Sequence, residues 1–487
     1  MAFKSAVIGH TTQTTSRILA VFERPKGRAR LAFADDNGVR TLDVPINSAP
    51  PFGLATFELS GLSGERVRYG IVEHDAGDPL PTPADNLSIN GSAFRTVTNG
   101  PIRIGLVSCN DIDNHEFPKE RRGAMWRALK ALVDEGKVNL LVHAGDQIYG
   151  DGDPTGWSAS EGRTAAYRRH YVQTWSHPDV AAVLGSCPNV MMWDDHEIYD
   201  GWGSNNNDGS PQAVERYRAA EQAFKEFQMA LSPRDRVSSA GFGWIAKHGD
   251  VAILAVDGRS QRSWKNGTIL GKQQLDDLEL RLNELAALDL RHLFVVVGTP
   301  VVYLPLAAAE ALTNAFNMSS VDDIRDGWAA SNNQNECRRF LMTLMNFAGF
   351  SPRTQVTLMG GDIHVGTMAH IDTVLGFGQP RSRPRLYQVT ASGIARPAPK
   401  GMSRIILALL TNGGSQNLFN GDIKGFLREI SGSDHRYCVT HRNFAILDPS
   451  DGADDWDRNN NLVVRFHVEK DNGTVGVLEQ VLPRVHT

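Results

Sequence analysis

The spacing of apolar positions changes near residue 100. From Met1 to about Gly100, short alternating segments (SRILAVFE, RARLAFA, GVRTLDV, ATFELSGL and RVRYGIVE) are separated by turn residues. Period-two alternation between such turns is the pattern of half-buried strands. Asp35-Asp36-Asn37-Gly38 joins two of them; Asn-Gly suits a hairpin turn whose central residues need positive φ. The spacing predicts an immunoglobulin-like or fibronectin-like β-sandwich over residues 1–98, with a structural role. Pro79, Pro81 and Pro83 mark a stiff connection, and Phe94 to Val97 a last strand.

Beyond Pro101 apolar runs alternate with amphipathic stretches, which predicts an α/β fold over residues 99–487. Strands are expected at IRIGLVSC, Leu140 to Val142, Asn189 to Trp193, Val251 to Val256 and Gln355 to Met359. Helices are expected from Pro118 to Glu135, Pro211 to Leu231, Lys272 to Leu288 and Asn335 to Phe347, each with an apolar stripe facing the core. The tail NNLVVRFHVEKDNGTVGVLEQVL reads as a closing hairpin turning near Asp471-Asn472-Gly473. Gly201 to Ser210 reads as a mobile surface loop or a lid, and Met402 to Gly432 as a further specificity loop.

Composition narrows the class. At 487 residues the chain exceeds one core, and 41% apolar residues suffice for two or three domains. A net charge of −5 without a basic block argues against a nucleic-acid-binding module. Cys109, Cys187, Cys337 and Cys438 are widely spaced and form no CxxC pair, so neither a zinc ribbon nor a disulfide framework is indicated and each reads as a free thiol. No apolar run approaches the ~20 residues of a membrane span, and the first residues are too polar for a signal-peptide core. As it stands the sequence predicts a cytoplasmic protein; a removed leader would make it exported or periplasmic.

The chemistry collects at strand ends, where α/β folds keep their sites. The apolar run Leu140-Leu141-Val142 empties through Gly145 into Asp146 and Tyr149. Alone, Asp146 reads sooner as a helix cap, and Tyr149 as packing, than as a metal site. Four companion ends alter that reading: Cys109, the run Asp194-Asp195-His196-Glu197, Asp257, and Asp362 with His364. Carboxylates gathered in one cleft repel each other unless cations lie among them, so two or more metal ions are expected. Thiolate, phenolate and imidazole suit iron(III) or zinc at one position, and oxygen ligands suit calcium, magnesium or manganese at another. Cys109 by itself is also a small buried hydrophobe. His196, next to a candidate ligand, suits a proton donor to a leaving alkoxide or a hydrogen bond to phosphate. Asp194 and Glu197 are candidates for orienting their neighbours. Arg259 reads as a phosphate clamp or as an ion pair with Asp257. His248, His292 and His441 read as structural.

The ordered series SCND, GDQIY, WDDHE, VDGRSQR and GGDIH, spanning Ser108 to His364, resembles the calcineurin-like metallophosphoesterases and, within them, the PhoD-type alkaline phosphatases, which also carry an N-terminal β-sandwich. LGKQQL, GTPV and HRNF follow in the same order. Purple acid phosphatases share the tyrosine after Gly-Asp but use Asn-His-Glu and His-x-His where this chain has Asp-His-Glu and Asp-x-His. The resemblance implies a four-layer α/β/β/α sandwich that hydrolyses phosphate monoesters, diesters or both. It implies Asp146 bridging the metals, Cys109, Tyr149 and His364 on Fe3+, and Asp195 and Asp362 on Ca2+, with Zn2+, Mn2+ or Mg2+ as substitutes. A phosphodiesterase preferring diesters, and a non-catalytic protein binding metal or phospho-ligands, are the alternatives. Relatives of this type usually carry a twin-arginine leader, which this sequence lacks.

Overall fold

The computed structural model describes residues 3–98, 102–152, 158–204, 209–302, 327–328, 330–373, 384–396, 415–418, 423–449 and 461–484. Strands β1 (Phe3–Thr11), β2 (Thr15–Glu23), β3 (Arg28–Asp35), β4 (Gly38–Pro45), β5 (Asn47–Ala49), β6 (Phe52–Ser60), β7 (Arg66–His74) and β8 (Ser92–Arg95) form two antiparallel four-stranded sheets. Their orders are β1-β2-β6-β5 and β4-β3-β7-β8. Ile18, Ala20 and Phe22 of β2 meet Leu31, Phe33 and Ile71 in the sandwich core. The alternate residues Leu19 and Val21, with Val7, enter the core of the larger body. Burial on both faces explains why SRILAVFE is nearly continuously apolar in its middle. The join is also polar: His10 N–H donates to the Leu231 carbonyl at 2.8 Å, Asn189 Nδ2 to that of Ile8 at 2.8 Å, and Tyr69 OH to that of Gly185 at 2.7 Å.

Two facing sheets follow. In the first, parallel strands β9 (Ile104–Val107), β10 (Leu140–Ala144) and β11 (Asn189–Met192) lie in the order β11-β10-β9. The second holds nine strands: β12 (Trp244–His248), β13 (Val251–Ala255), β14 (His292–Gly298), β15 (Gln355–Gly360), β16 (Gly366–Thr373), β17 (Arg385–Thr390), β18 (Ser415–Leu418), β19 (Ile423–Leu427) and β20 (Cys438–Val439). Within it β13, β14, β15 and β17 run parallel. The first sheet is completed by β21 (Asn443–Asp448), which pairs antiparallel with β9, and then by β22 (Leu462–Glu469) and β23 (Val475–Leu482). The expected tail hairpin thus forms and adds to the sheet that holds β9.

Strand alternation assigns the faces of the second sheet. Ile253, Phe294, Val296 and Met359 enter the core shared with the first sheet, while Leu254, Leu293, Val295 and Leu358 pack on the helices Lys272–Ala286 and Gln334–Phe350. Helices Ala124–Asp134 and Arg163–Trp175 bring Trp126, Leu129, Tyr171 and Trp175 to the first sheet. The result is helix, sheet, sheet, helix. Among the described residues no helix is long and apolar enough to cross a membrane.

Three expectations are corrected. The helix expected from Pro118 to Glu135 is divided into Lys119–Arg122 and Ala124–Asp134 at Gly123, against which Asp179 packs closely. The helix from Pro211 gives way after Phe224 to a π-helical turn, Lys225–Met229. Gly201 to Ser204, the start of the expected surface loop, are buried, because Trp202 stacks on Tyr217 at 5.8 Å. Residues 205–208, and 402–414 and 419–422 of the other expected loop, lie outside the described residues.

Candidate metal centre

Parallel strands deliver their carboxyl ends to one edge, and the loops that leave them turn sharply. Among the described residues six non-glycine positions have left-handed φ, and four are Cys109 (57°), Asp146 (55°), Asp362 (65°) and His364 (56°). Such backbone costs free energy and persists where the surroundings dictate it, typically at functional sites. The approach is close: a Cβ on Gly145, whose φ is 90°, would lie 2.3 Å from Asp194 Cβ, and one on Gly361 would lie 2.1 Å from Ser108 Oγ. Gly145 therefore serves the sharp exit its position predicts, and it also admits the neighbouring strand end.

The candidate ligands from separate strand ends are brought together. Cys109 Sγ lies 3.3 Å from Asp146 Oδ2, and the Tyr149 ring meets that of His196 at a tilt of 37°, 4.0 Å between ring centres. Asp146, Asp195 and His196 offer ligand atoms within 4.8 Å of one another, as do Asp194, Asp195 and Asp362. Asp146 Oδ1, Tyr149 OH and His364 Nδ1 are buried without a hydrogen-bond partner among the described residues. Leaving such atoms unpaired is expensive, and a metal ion satisfies all three types. Charge points the same way. Burial, then Asp195, Asp194, Glu197 and Asp362, pushes the Asp146 carboxyl well above the usual carboxylate range. Burial, then Asp146, raises the Cys109 thiol, and burial, then Cys109, raises the Tyr149 phenol. A multivalent cation reverses all three at once.

Other side chains hold this arrangement. Glu197 Oε2 accepts from the Asp146 N–H at 2.9 Å and the Asp194 N–H at 2.8 Å. Its Oε1 accepts from Gln147 N at 2.6 Å and from Gln228 Nε2 at 2.9 Å, so one carboxylate ties two strand ends to the π-helical turn. Burial still lifts Glu197 to about 7. Asp257 accepts from Trp193 Nε1, Phe242 N, Arg259 N and Ser260 N, and thereby fixes the loop that carries Arg259. The Arg259 guanidinium, 1% exposed, pairs with Asp194 and lies 3.4 Å from Asp195 and 3.9 Å from Asp362. It also donates to Thr299 Oγ1 at 2.9 Å and to the Trp202 carbonyl at 3.0 Å. Burial raises Asp195, but Arg259, His196 and the Gly201 N–H outweigh it and bring Asp195 down to about 2; Asp194 is raised by burial to about 6 despite Arg259. The guanidinium of Arg259 thus pairs with Asp194, while the Asp257 side chain accepts from its backbone N–H.

His196 Nδ1 meets Asp151 Oδ2 at 2.5 Å. Burial opposes its charge, but Asp195, Asp151 and Asp200 prevail and raise His196 to about 10. Sequence reasoning overlooked Asp151, and it overlooked a sixth strand end. β17 runs beside β15 in parallel register, Gly360 opposite Thr390, and ends in Ala391-Ser392. Ser392 Oγ lies 2.9 Å from Cys109 Sγ and accepts from His364 N at 2.8 Å. The apolar run RLYQVT followed by small residues carried the same signal as the other five ends. Arg396, six residues beyond Thr390, sets its guanidinium 4.7 Å from the centre of the Tyr149 ring. His248 and His292 are buried away from this edge, beside His10 and Phe294 respectively, and His441 lies between Asp434 and Asp471.

Facing sheets whose strand ends meet at one edge also form the fold of solved phosphatase structures. The chain superposes on a structure of PhoD with a TM-score of 0.65 at 14% identity, covering 99% of this chain and 90% of that one. On the purple acid phosphatase PPD1 from yellow lupin (Lupinus luteus) seeds the values are 0.55 and 11%, covering 98% and 74%. Residues 104–404, more than half of the chain, match the model of the PhoD-like phosphatase family. The chain belongs to that family. It is also 23% identical over 352 residues to the Saccharomyces cerevisiae protein YGR266W, covering 54% of this chain; it spans about half (49%) of that relative's length.

Proposed function

We propose that the chain is a metal-dependent phosphoesterase that hydrolyses phosphate esters by a metal-activated water. The observation that carries this reading is the set of buried, unpartnered donor atoms, Asp146 Oδ1, Tyr149 OH and His364 Nδ1, gathered beside Cys109, Asp195 and Asp362. Membership of the PhoD-like phosphatase family supports it. Cys109, Tyr149 and His364 would hold a ferric ion, Asp195 and Asp362 would hold calcium or another divalent ion, and Asp146 would be shared between them. Bound there, the metals supply Lewis acidity toward phosphate oxygens and bring the pKa of a water near to 7.

The residues around them do the rest. Asp151 orients His196 through Nδ1, which leaves the other ring nitrogen to protonate the departing oxygen. Asp195, Asp151 and Asp200 all favour the charged ring, which is the form that can donate a proton. Glu197 fixes the backbone of Asp146 and Asp194, and Arg259 fixes the carboxylates of Asp194 and Asp195. No covalent enzyme intermediate is required. Residues 1–98 serve as structural support.

Elemental analysis, a visible spectrum and aryl phosphate turnover on one preparation test the reading. Iron with a tyrosinate charge-transfer band and turnover are expected. A colourless zinc or calcium protein with turnover would keep the activity and remove Tyr149 and Cys109 from a ferric site. Less than one metal per chain and no turnover on any phosphoester would leave a non-catalytic binding protein.

A further inference from the structure

Two arginines flank the centre, and they are held in opposite ways. Arg259 is 1% exposed, and its donors are committed to Asp194, Thr299 and the Trp202 carbonyl. Arg396 keeps 32% of its side chain exposed and, among the described residues, makes one ion pair, with Asp111, at 3.4 Å. Its guanidinium lies against the Tyr149 ring, and its charge acts on Tyr149, Asp111, Cys109 and Asp146. The main chain that carries it is anchored. Ile394 N–H donates to the Ser108 carbonyl at 3.2 Å, Ala395 N–H to that of Cys109 at 3.4 Å, and Asn443 N–H to that of Gly393 at 3.3 Å. The Cys109 loop and the Arg396 backbone are therefore tied together, while the Arg396 guanidinium is partly open to solvent.

We propose that Arg396 is a specificity-determining residue of this centre, binding a non-bridging phosphate oxygen of a phosphomonoester dianion and so favouring monoesters over diesters. The proposal rests on the phosphoesterase reading above. A guanidinium matches two phosphate oxygens at once, which a weak pair with a carboxylate at its side does not prevent. In a monoester, oxygens not taken by the metals retain charge for Arg396 to meet. In a diester one of those oxygens carries an organic group and a charge is lost, so the arginine has less to bind. Exchange of Asp111 for phosphate makes the contact available only when substrate arrives.

The test uses the full chain with its metals. Wild type, Arg396→Ala and Arg396→Lys are compared on 4-nitrophenyl phosphate and bis(4-nitrophenyl) phosphate, and inorganic phosphate binding is measured by calorimetry. Arg396→Ala is expected to lower kcat/KM for the monoester by about tenfold or more and for the diester by less than about threefold. Phosphate should bind about tenfold more weakly to Arg396→Ala, and Arg396→Lys should fall between the two. Metal content should match wild type; if Arg396→Ala loses metal, Arg396→Gln carries the same comparison. Equal losses on both esters, or unchanged phosphate affinity, would overturn the proposal. If wild type turns over neither ester, the phosphoesterase reading fails, and the calorimetry alone still decides whether Arg396 binds phosphate.

Discussion

In the N-terminal sandwich the inward residues, among them Ile18, Phe22, Leu31, Phe57 and Ile71, are apolar, and charges such as Arg28 and Asp43 pair near the surface. At the strand ends of the larger body the buried residues include Asp146, Asp194, Asp195, Glu197 and Arg259. Both regions are made of strands joined by tight turns, yet one gains free energy from what it buries and the other spends it. A buried set of like charges is retained only if something other than folding requires it. The sandwich can therefore be weakened without touching chemistry, and the centre can be disarmed while the fold gains stability.

The largest effect tests the second half of that contrast. Asp146→Asn should lower aryl phosphate turnover by more than about a thousandfold and remove most metal. In metal-free protein the same change should raise stability by about 1–3 kcal/mol, because it removes a repelled, unsatisfied carboxylate. Near wild-type turnover, or a less stable apo-protein, would break the comparison. For the first half, Phe57→Ala should cost about 3–5 kcal/mol in denaturant unfolding and leave metal content unchanged. Metal loss in the folded variant would show that the sandwich shapes the centre.

Smaller effects sharpen the boundary. Glu197→Gln replaces a carboxylate that accepts four hydrogen bonds, and metal affinity by competition with a chelator should fall about 10–100-fold. An unchanged affinity would reduce Glu197 to packing. The join between the regions carries His10 and His248, which burial holds down to about 4 and about 3, with Arg17 and His10 respectively adding to the effect. Between an unfolded pKa near 6.5 and those values the unfolded chain takes up protons that the folded one refuses, so stability falls as pH drops through that window and is independent of these groups above it. The slope of stability against pH should flatten in His248→Phe; an unaltered slope would assign the acid sensitivity elsewhere. Last, Arg28→Ala, at an exposed pair, should change stability by no more than about 0.5 kcal/mol, and a larger loss would mean that the sandwich depends on its surface charges.

The same contrast explains what could be read from the chain. Alternation at SRILAVFE and the Asn-Gly turn point to β2 and to the β3–β4 hairpin because their spacing is local. Cys109, Asp146, Asp195, Asp362 and His364 could be picked out because each follows an apolar run, and their convergence is a property of parallel strands. Gly123, Asp151 and Arg396 were not legible, since their significance lies in partners far away in sequence: Asp179, His196 and Tyr149. The π-helical turn carrying Gln228 is hidden for the same reason; Pro211 to Leu231 has helical spacing throughout, and only Glu197 and Tyr171 reveal why it widens.

The pairing of β21 with β9 sets a timetable for the ribosome. Ile104 lies opposite Leu447, so the strand that leads to Cys109 waits for a neighbour made much later in the chain. Contacts that close so long a loop form slowly. The edge that gathers Cys109 with Asp146 and Asp362 is therefore completed only once Asn443–Asp448 has docked beside Ile104–Val107. Any metal bound there would then be the last part of the centre to arrive, after so distant a strand has been paired.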